Sequence, residues 1–582
     1  MDDPATDQER PWFRHYEQGI PTGYPAISPL FGDDEAGPAR SIWEQFERTV
    51  AAWGERTALI FEGTTISWEQ LGRYVRDFST SLAALGIGRG DKVVLQLPNI
   101  PQMVIAYFAV HRLGACVVMA NPMYVAPEIR HMLVDSGADT MITLDGLWMN
   151  RVRAIRHATG LRNIIVAGIR DFLPFPRRQL YPLVGRGKGL WARVPPEPGV
   201  HRFDEMLARR RDAISPSPGL PDDMACLQYT GGTTGISKGA VLSNYNLLSN
   251  AHQVAVWFPG LRAGHEIFVC ALPFFHVFGL TCCLNVPTAI GATMLLVPDP
   301  RNLKSLISGI EKHRPTMFPA VPAMFEGINR FPAIERRDLS SIKGCFSGSA
   351  PLSLEVMTRF ESMTGARITE GFGLTEASPV THVNPLFGLR KEGSIGVPMP
   401  GTDSMVVDLA QGKRQMPDHQ PGELIIRGPQ VMKGYWNHPD ETAVTLRDGW
   451  LFTGDIAYRD EDGFFFIAGR KKEMIIAGGY NIYPREIDEV LYAHPDILEA
   501  ASVGIPDRHR GETVWAFVVP RPGTALRGGE VVTWCRERLA RYKVPRRIVI
   551  TDALPRSAVG KILRRELREK AIAMLNSEGE GV

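Results

Sequence analysis

Apolar residues recur along this chain with two different periods. From about residue 90, short apolar runs alternate with longer segments of helical pattern. DKVVLQL reads as a buried strand, IPQMVIAYFAVHRLG as a helix, ACVVMANP as a strand, and APEIRHMLVDSG as a helix before TMITL. This alternation predicts an α/β fold with a mainly parallel sheet and helices on its faces. ACLQY, IFVCALP and ATMLLV extend the series as further short strands. Between Ile267 and Val297 there is no Lys, Arg, Asp or Glu. Pro273, His276, Asn285 and Pro287 interrupt that run, so a buried sheet with its loops is expected rather than a membrane-spanning helix.

From about Gly401 the pattern becomes strand-rich and turn-rich (GELIIRG, GWLFTGD, GFFFIAG), which predicts a small barrel-like subdomain over about 401–469. After GRKKEMI come a helix (YPREIDEVLYAH), two strands (AASVGI, TVWAFVVP), a helix (VVTWCRERLARY) and a strand (RRIVIT). These make a compact α+β module of domain size. The polar junction Gly469-Arg470-Lys471-Lys472 sets the expected boundary, giving an N-terminal domain 1–470 and a mobile C-terminal domain 471–582.

Composition narrows the function. Among 582 residues, 65 basic side chains against 63 acidic leave a net charge of +2, so no global bias toward nucleic acid exists. A 44% hydrophobic and 22% charged composition is that of a globular protein rather than a disordered one. The seven cysteines form no C-x-x-C pair and no Cys/His cluster at zinc spacing, which argues against a disulfide framework and a structural metal. The acidic, polar first residues predict no export signal, hence a cytoplasmic location, with a peripheral place on the inner face of the membrane as the variant. That variant comes from residues 151–211, where 14 Arg/Lys face 4 Asp/Glu beside Phe172, Phe175, Leu190 and Trp191. Such a segment suits membrane contact through residues 170–200, or is a solvated, Pro-rich insertion. Residues 536–570 carry 12 basic and 4 acidic residues, which suits a phosphate-rich ligand or a solvated helix face. The oligomeric state is left open, a homodimer included.

The sharpest chemical signal is the stretch from Tyr229 to Gly239, YTGGTTGISKG, directly after the strand ACLQY. Its glycines let backbone N–H groups approach an anion, its hydroxyls add donors, and Lys238 adds charge, so it is a candidate phosphate loop. It lacks the G-x-x-x-x-G-K-[ST] spacing of a Walker A loop.

At this loop the chain resembles the adenylate-forming acyl-CoA synthetase superfamily. LPFFHVFG (272–279), SGSAPL (347–352), EGFGLTE (370–376), GWLFTGD (449–455), GFFFIAGRKKEMI (463–475), GGYNIYPREIDEV (478–490) and PRSAVGKILRREL (555–567) follow in that superfamily's order. Bacterial long-chain fatty acid–CoA ligases are the branch it resembles most. The resemblance implies ATP and CoA as cosubstrates and Mg²⁺ as cofactor. It implies that Thr230, Gly231, Gly232, Thr233, Thr234, Gly235 and Lys238 hold phosphates, and that Lys561 bridges acyl and phosphate oxygens. Glu376 would hold Mg²⁺, with Thr375 donating to a phosphate; a glutamate placed to favour a helix start is the structural alternative.

Gly348, Ser349, Ala350, Gly371, Phe372 and Gly373 are implied along the adenine, with Phe372 stacked on its face. Asp455 would accept both ribose hydroxyls, or cap an Asx turn after Gly454, and Arg470 would reach ribose or phosphate. His276, among Phe274, Phe275 and Phe278, is implied near the reacting carboxylate, or is a core histidine. Lys472 matches the hinge position, and Gly478 and Gly479 match the lining of a pantetheine tunnel.

LPFFHVFG carries no aspartate of the kind that binds an amino-acid substrate's ammonium group, and with no charge between Ile267 and Val297 the acid should have an apolar tail. A medium- to long-chain fatty acid–CoA ligase is therefore expected. The rival readings are an acyl-AMP ligase loading a carrier protein, an aryl-acid ligase, and an inactive membrane-associated lipid-binding relative.

Overall fold

The computed structural model describes residues 10–16, 20, 39–209, 212, 214–230, 237–477, 480–557 and 560–577. It divides into two compact units: residues up to Asp403 with Arg427–Leu451, and Ser404–Ile426 with Phe452 onward.

The first unit contains two sheets. One runs, in spatial order, through strands Gly434–Tyr435, Lys238–Ser243, Met224–Thr230, Cys116–Met119, Lys92–Gln96, Thr140–Leu144, Asn163–Ala167 and Val200–Arg202. From Met224–Thr230 onward every pairing is parallel, as the alternation of strands and helices predicts. The helix Pro101–Arg112 is buried along its entire length. It starts with proline at its first position, where the absent N–H would have had no intrahelical partner.

The second sheet carries parallel strands Thr57–Phe61, Thr293–Leu296, Ile267–Cys270, Met317–Ala320, Gly344–Ser347 and Arg367–Gly373. Here one expectation needs correction. The charge-free run from Ile267 to Val297 is not sheet and loop alone: between its two strands a buried helical stretch runs from Val277 to Ala289, with wider π-type turns over Leu280–Asn285. A helix buried on all sides is apolar all round and shows no 3.6-residue stripe, so its pattern resembles that of buried strands. Among the described residues no helix is long and apolar enough to cross a membrane.

The second unit holds all but a few end residues of strands Asp403–Val407, Gly422–Arg427, Trp450–Arg459 and Phe465–Arg470, in spatial order, then an α+β lobe. In the lobe, strand Gly511–Pro520 pairs antiparallel with Ile497–Asp507 and parallel with Arg547–Ile550. Side chains of this central strand alternate between two cores. Val514, Ala516 and Val518 pack with Ile487, Leu491, Val531 and Cys535 of the helices Pro484–Tyr492 and Gly528–Arg538. Trp515, Phe517 and Val519 pack with Leu567, Ala571 and Leu575 of the helix Arg564–Ser577. All seven cysteines are free and buried.

Candidate active site

In the first unit the candidate phosphate loop closes an antiparallel hairpin. Thr230, ending one strand, faces Lys238, starting the next, and the Ser237 hydroxyl donates to the Thr230 carbonyl at 2.6 Å. Gly231, Gly232, Thr233, Thr234 and Gly235 lie outside the described residues. The Lys238 ammonium pairs with Glu441 at 2.8 Å and stands 5.9 Å from the centre of the Tyr435 ring. Tyr435 is held by the two-residue strand Gly434–Tyr435, which pairs with the strand carrying Lys238. Its hydroxyl donates to Glu376 at 2.6 Å.

Glu376 sits in the short helical turn Thr375–Ala377 that follows strand Arg367–Gly373. Its own carbonyl accepts the Met432 N–H at 2.8 Å. Tyr435 thus links Glu376 and Lys238, which are far apart in the chain. Neither Tyr435 nor Glu441 was singled out from the sequence. The only signal was their place in a Gly-Tyr-Trp run followed by an acidic turn.

Six of the remaining first-unit candidates lie at the carboxyl ends of two neighbouring parallel strands, Gly344–Ser347 and Arg367–Gly373, where α/β sheets usually hold ligands. Ser347 pairs with Glu370 there. Gly348 is buried, and a Cβ on it would come within 3.1 Å of the Phe278 ring. Ser349 is exposed with φ +72°, a left-handed conformation costing a residue with a Cβ about 1 kcal/mol. Ala350 follows, half-buried. A Cβ on Gly371 would meet the Phe346 ring at 2.2 Å, so packing alone demands glycine there. Phe372 is half-buried, edge-on to His382 at 6.2 Å between ring centres, and Gly373 ends the strand. Burial pushes the His382 imidazole down to about 3, so it is neutral at ordinary pH. His276 caps the turn Val277–Gly279, its Nδ1 accepting the Phe278 N–H at 3.3 Å.

In the second unit Asp455, Arg470 and Lys561 gather. Asp455 and Arg470 are register partners on adjacent antiparallel strands, and the Arg470 Nε donates to the buried Asp455 carboxylate at 2.8 Å. Buried Glu423 braces both strands: it accepts the Gly454 N–H at 3.2 Å and the Lys471 ammonium at 2.7 Å. Lys561 is exposed, and the positive charge of Arg470, then partial loss of water, lowers its pKa below the ordinary lysine value despite Asp455 and Glu473. Its N–H donates to the Ser557 hydroxyl at 3.2 Å.

Lys472 is exposed between two anchored neighbours. Lys471 is tied to Glu423, while Glu473 pairs with Arg564 at 3.1 Å, and Arg564 in turn with buried Asp488 at 2.7 Å. Gly478 and Gly479 lie outside the described residues; their neighbours Ala477 and Tyr480 pair directly.

Fold and grouping together define a two-unit α/β protein with its candidate site residues gathered at strand ends and on adjacent strands. The chain belongs to the AMP-binding enzyme family: the family's main domain matches residues 46–436, and its C-terminal domain matches residues 486–561. It is 41% identical to a long-chain-fatty-acid–CoA ligase of Bacillus subtilis, covering 97% of this chain and 98% of that one. A protein of the same name from Escherichia coli is 36% identical, with 96% and 98% covered. The crystal structure of the anthranilate CoA ligase AuaEII with anthranoyl-AMP superposes with a TM-score of 0.82 at 26% identity, covering 94% of this chain and all of that one.

Proposed function

We propose that this protein is an AMP-forming fatty acid–CoA ligase. It joins a medium- to long-chain fatty acid to AMP with release of pyrophosphate, then transfers the acyl group to CoA. The observation that carries the reading is the convergence of Asp455, Arg470 and Lys561 from three segments of the second unit.

A carboxylate is a poor electrophile, and its mixed anhydride with AMP is a good one. In the first half-reaction an acid oxygen attacks the α-phosphorus and the bond to pyrophosphate breaks. Negative charge on the phosphoryl oxygens is met by preorganised cations. Lys561, exposed and without an ion pair of its own among the described residues, is free to meet it. Asp455 accepts the ribose hydroxyls, with Arg470 holding its carboxylate in place. Thr230, Lys238 and the loop between them take the outgoing phosphates, which requires Lys238 to exchange Glu441 for phosphate. Thr375 adds a donor.

Among the described residues there is no cluster of three or more metal-ligating side chains. A lone carboxylate such as Glu376 suits Mg²⁺, which commonly takes one or two protein carboxylates plus substrate phosphates. When bound, the ion neutralises phosphate oxygens. His276 and Phe278 lie toward the acyl site, and the charge-free walls from Ile267 to Val297 suit an alkyl chain.

In the second half-reaction the CoA thiolate attacks the acyl carbonyl and AMP leaves, so no protein nucleophile is needed. Rotation at Lys472 would withdraw Lys561 and bring Gly478 and Gly479 to the pantetheine path. The test is a panel of C2 to C20 acids with ATP and Mg²⁺, scoring AMP with and without CoA. The expected result is CoA-dependent AMP release rising with chain length. Acyl-AMP that accumulates unchanged by CoA would overturn it in favour of carrier loading.

A further inference from the structure

The basic insertion contains a helix, Arg177–Gly187, that turns its apolar side chains outward. Leu180, Leu183 and Val184 are 54%, 79% and 59% exposed, and Phe175 just before the helix is 82% exposed. Positions 180, 183 and 184 share one helical face. The opposite face is the packed one: Gly185 is buried, and a Cβ there would come within 2.7 Å of the Tyr181 ring and 2.8 Å of Trp191. The outward leucines therefore do not result from a helix lacking an inner face.

Residues 172–195 carry five cations (Arg177, Arg178, Arg186, Lys188, Arg193) and no acid. Arg178 and Arg193 make no ion pair among the described residues, whereas Arg177 pairs with Glu62 at 3.1 Å and Arg186 lies over the Trp191 ring. An exposed apolar face in a cationic surround fits a surface offering both hydrocarbon and negative charge. Two copies of this face would repel each other, which disfavours self-association.

We infer that the segment from Phe175 to Trp191 docks on an anionic phospholipid bilayer, with Phe175, Leu180, Leu183 and Val184 entering the headgroup boundary and the arginines meeting lipid phosphates. The inference does not rest on the reaction assigned above, since the readout that decides it is vesicle binding; turnover serves only as a check that the variants fold.

The full chain is sedimented with vesicles of phosphatidylcholine alone or with about one third phosphatidylglycerol. Binding to the anionic vesicles only, weakened by salt, is expected. Phe175→Glu with Leu183→Glu alters two exposed positions and should lower partitioning at least about tenfold, while activity on a water-soluble short acid stays unchanged. Arg178→Gln should lower it about fivefold, the effect of roughly one surface cation. No co-sedimentation of the wild type, or equal binding by the double variant, overturns the inference. So does a lipid-free dimer that the double variant dissociates, which would assign the face to a second copy.

Discussion

The two units hold their candidate groups in opposite electrostatic states. In the first, each charge is already answered: Lys238 by Glu441, and Glu376 by the Tyr435 hydroxyl. In the second, Arg470 uses the one buried carboxylate of the cluster, Asp455, and Lys561 is left facing a neighbouring cation. A satisfied pair must exchange partners before it can hold a nucleotide, so its net worth to binding is small. An unanswered cation is arranged for an anion that has yet to arrive. For the proposed reaction, the difference predicts that the second unit contributes most to the transition state, and the first mostly to holding the nucleotide.

Removing the unanswered cation tests this most severely. Lys561→Ala should slow acyl-AMP formation by about 10²–10³ or more, measured as pyrophosphate exchange into ATP, while thiolysis of supplied acyl-AMP stays nearly unchanged. Equal loss in both steps would remove Lys561 from the first half-reaction. Next in size, Asp455→Asn should raise the KM for ATP about 10- to 100-fold, the worth of hydrogen bonds to a charged acceptor; an unchanged KM would leave Asp455 a purely structural residue. On the first unit the effect should be small and of opposite sign. Glu441→Gln releases Lys238 from a half-exposed pair worth up to about 1 kcal/mol, so the KM for ATP should fall by up to about fivefold. A rise would show that Glu441 positions Lys238 instead of competing for it.

The subtlest test is a displacement rather than a loss. In the role proposed for Lys561 the charged ammonium is the active form, and its pKa lies below the ordinary lysine value chiefly because of Arg470. Adenylation should therefore fail with rising pH sooner than an isolated lysine would dictate. Arg470→Gln should move that alkaline limb upward even as it weakens ATP binding. A limb that stays put would mean that another group sets it.

Legibility in the sequence followed the range of the interaction. Helix Pro101–Arg112, although buried on every side, was readable from its proline start and its length, and strand Gly511–Pro520 from its short apolar run, because these are local properties. Lys561, Asp455 and Glu376 stood out only through the motifs around them. Tyr435 and Glu441 escaped because the contacts that give them meaning cross long stretches of chain: the Tyr435 hydroxyl reaches back 59 residues to Glu376. Glu423, in a segment read only as a strand, was missed for the same reason, since it meets Lys471 across 48 residues. The helical stretch within Ile267–Val297 was hidden by burial on every side, which erases the stripe that marks a helix.

Unaided, the amino-acid order determined the βα succession, the strand-rich segment and the closing lobe, since periodicity, helix starts and glycine turns act between near neighbours. Which carboxylate neutralises which lysine, and which side of the helix Arg177–Gly187 faces water, was decided only once distant segments packed. Charges and apolar faces act over a few ångströms of space, and separation along the chain does not encode that distance.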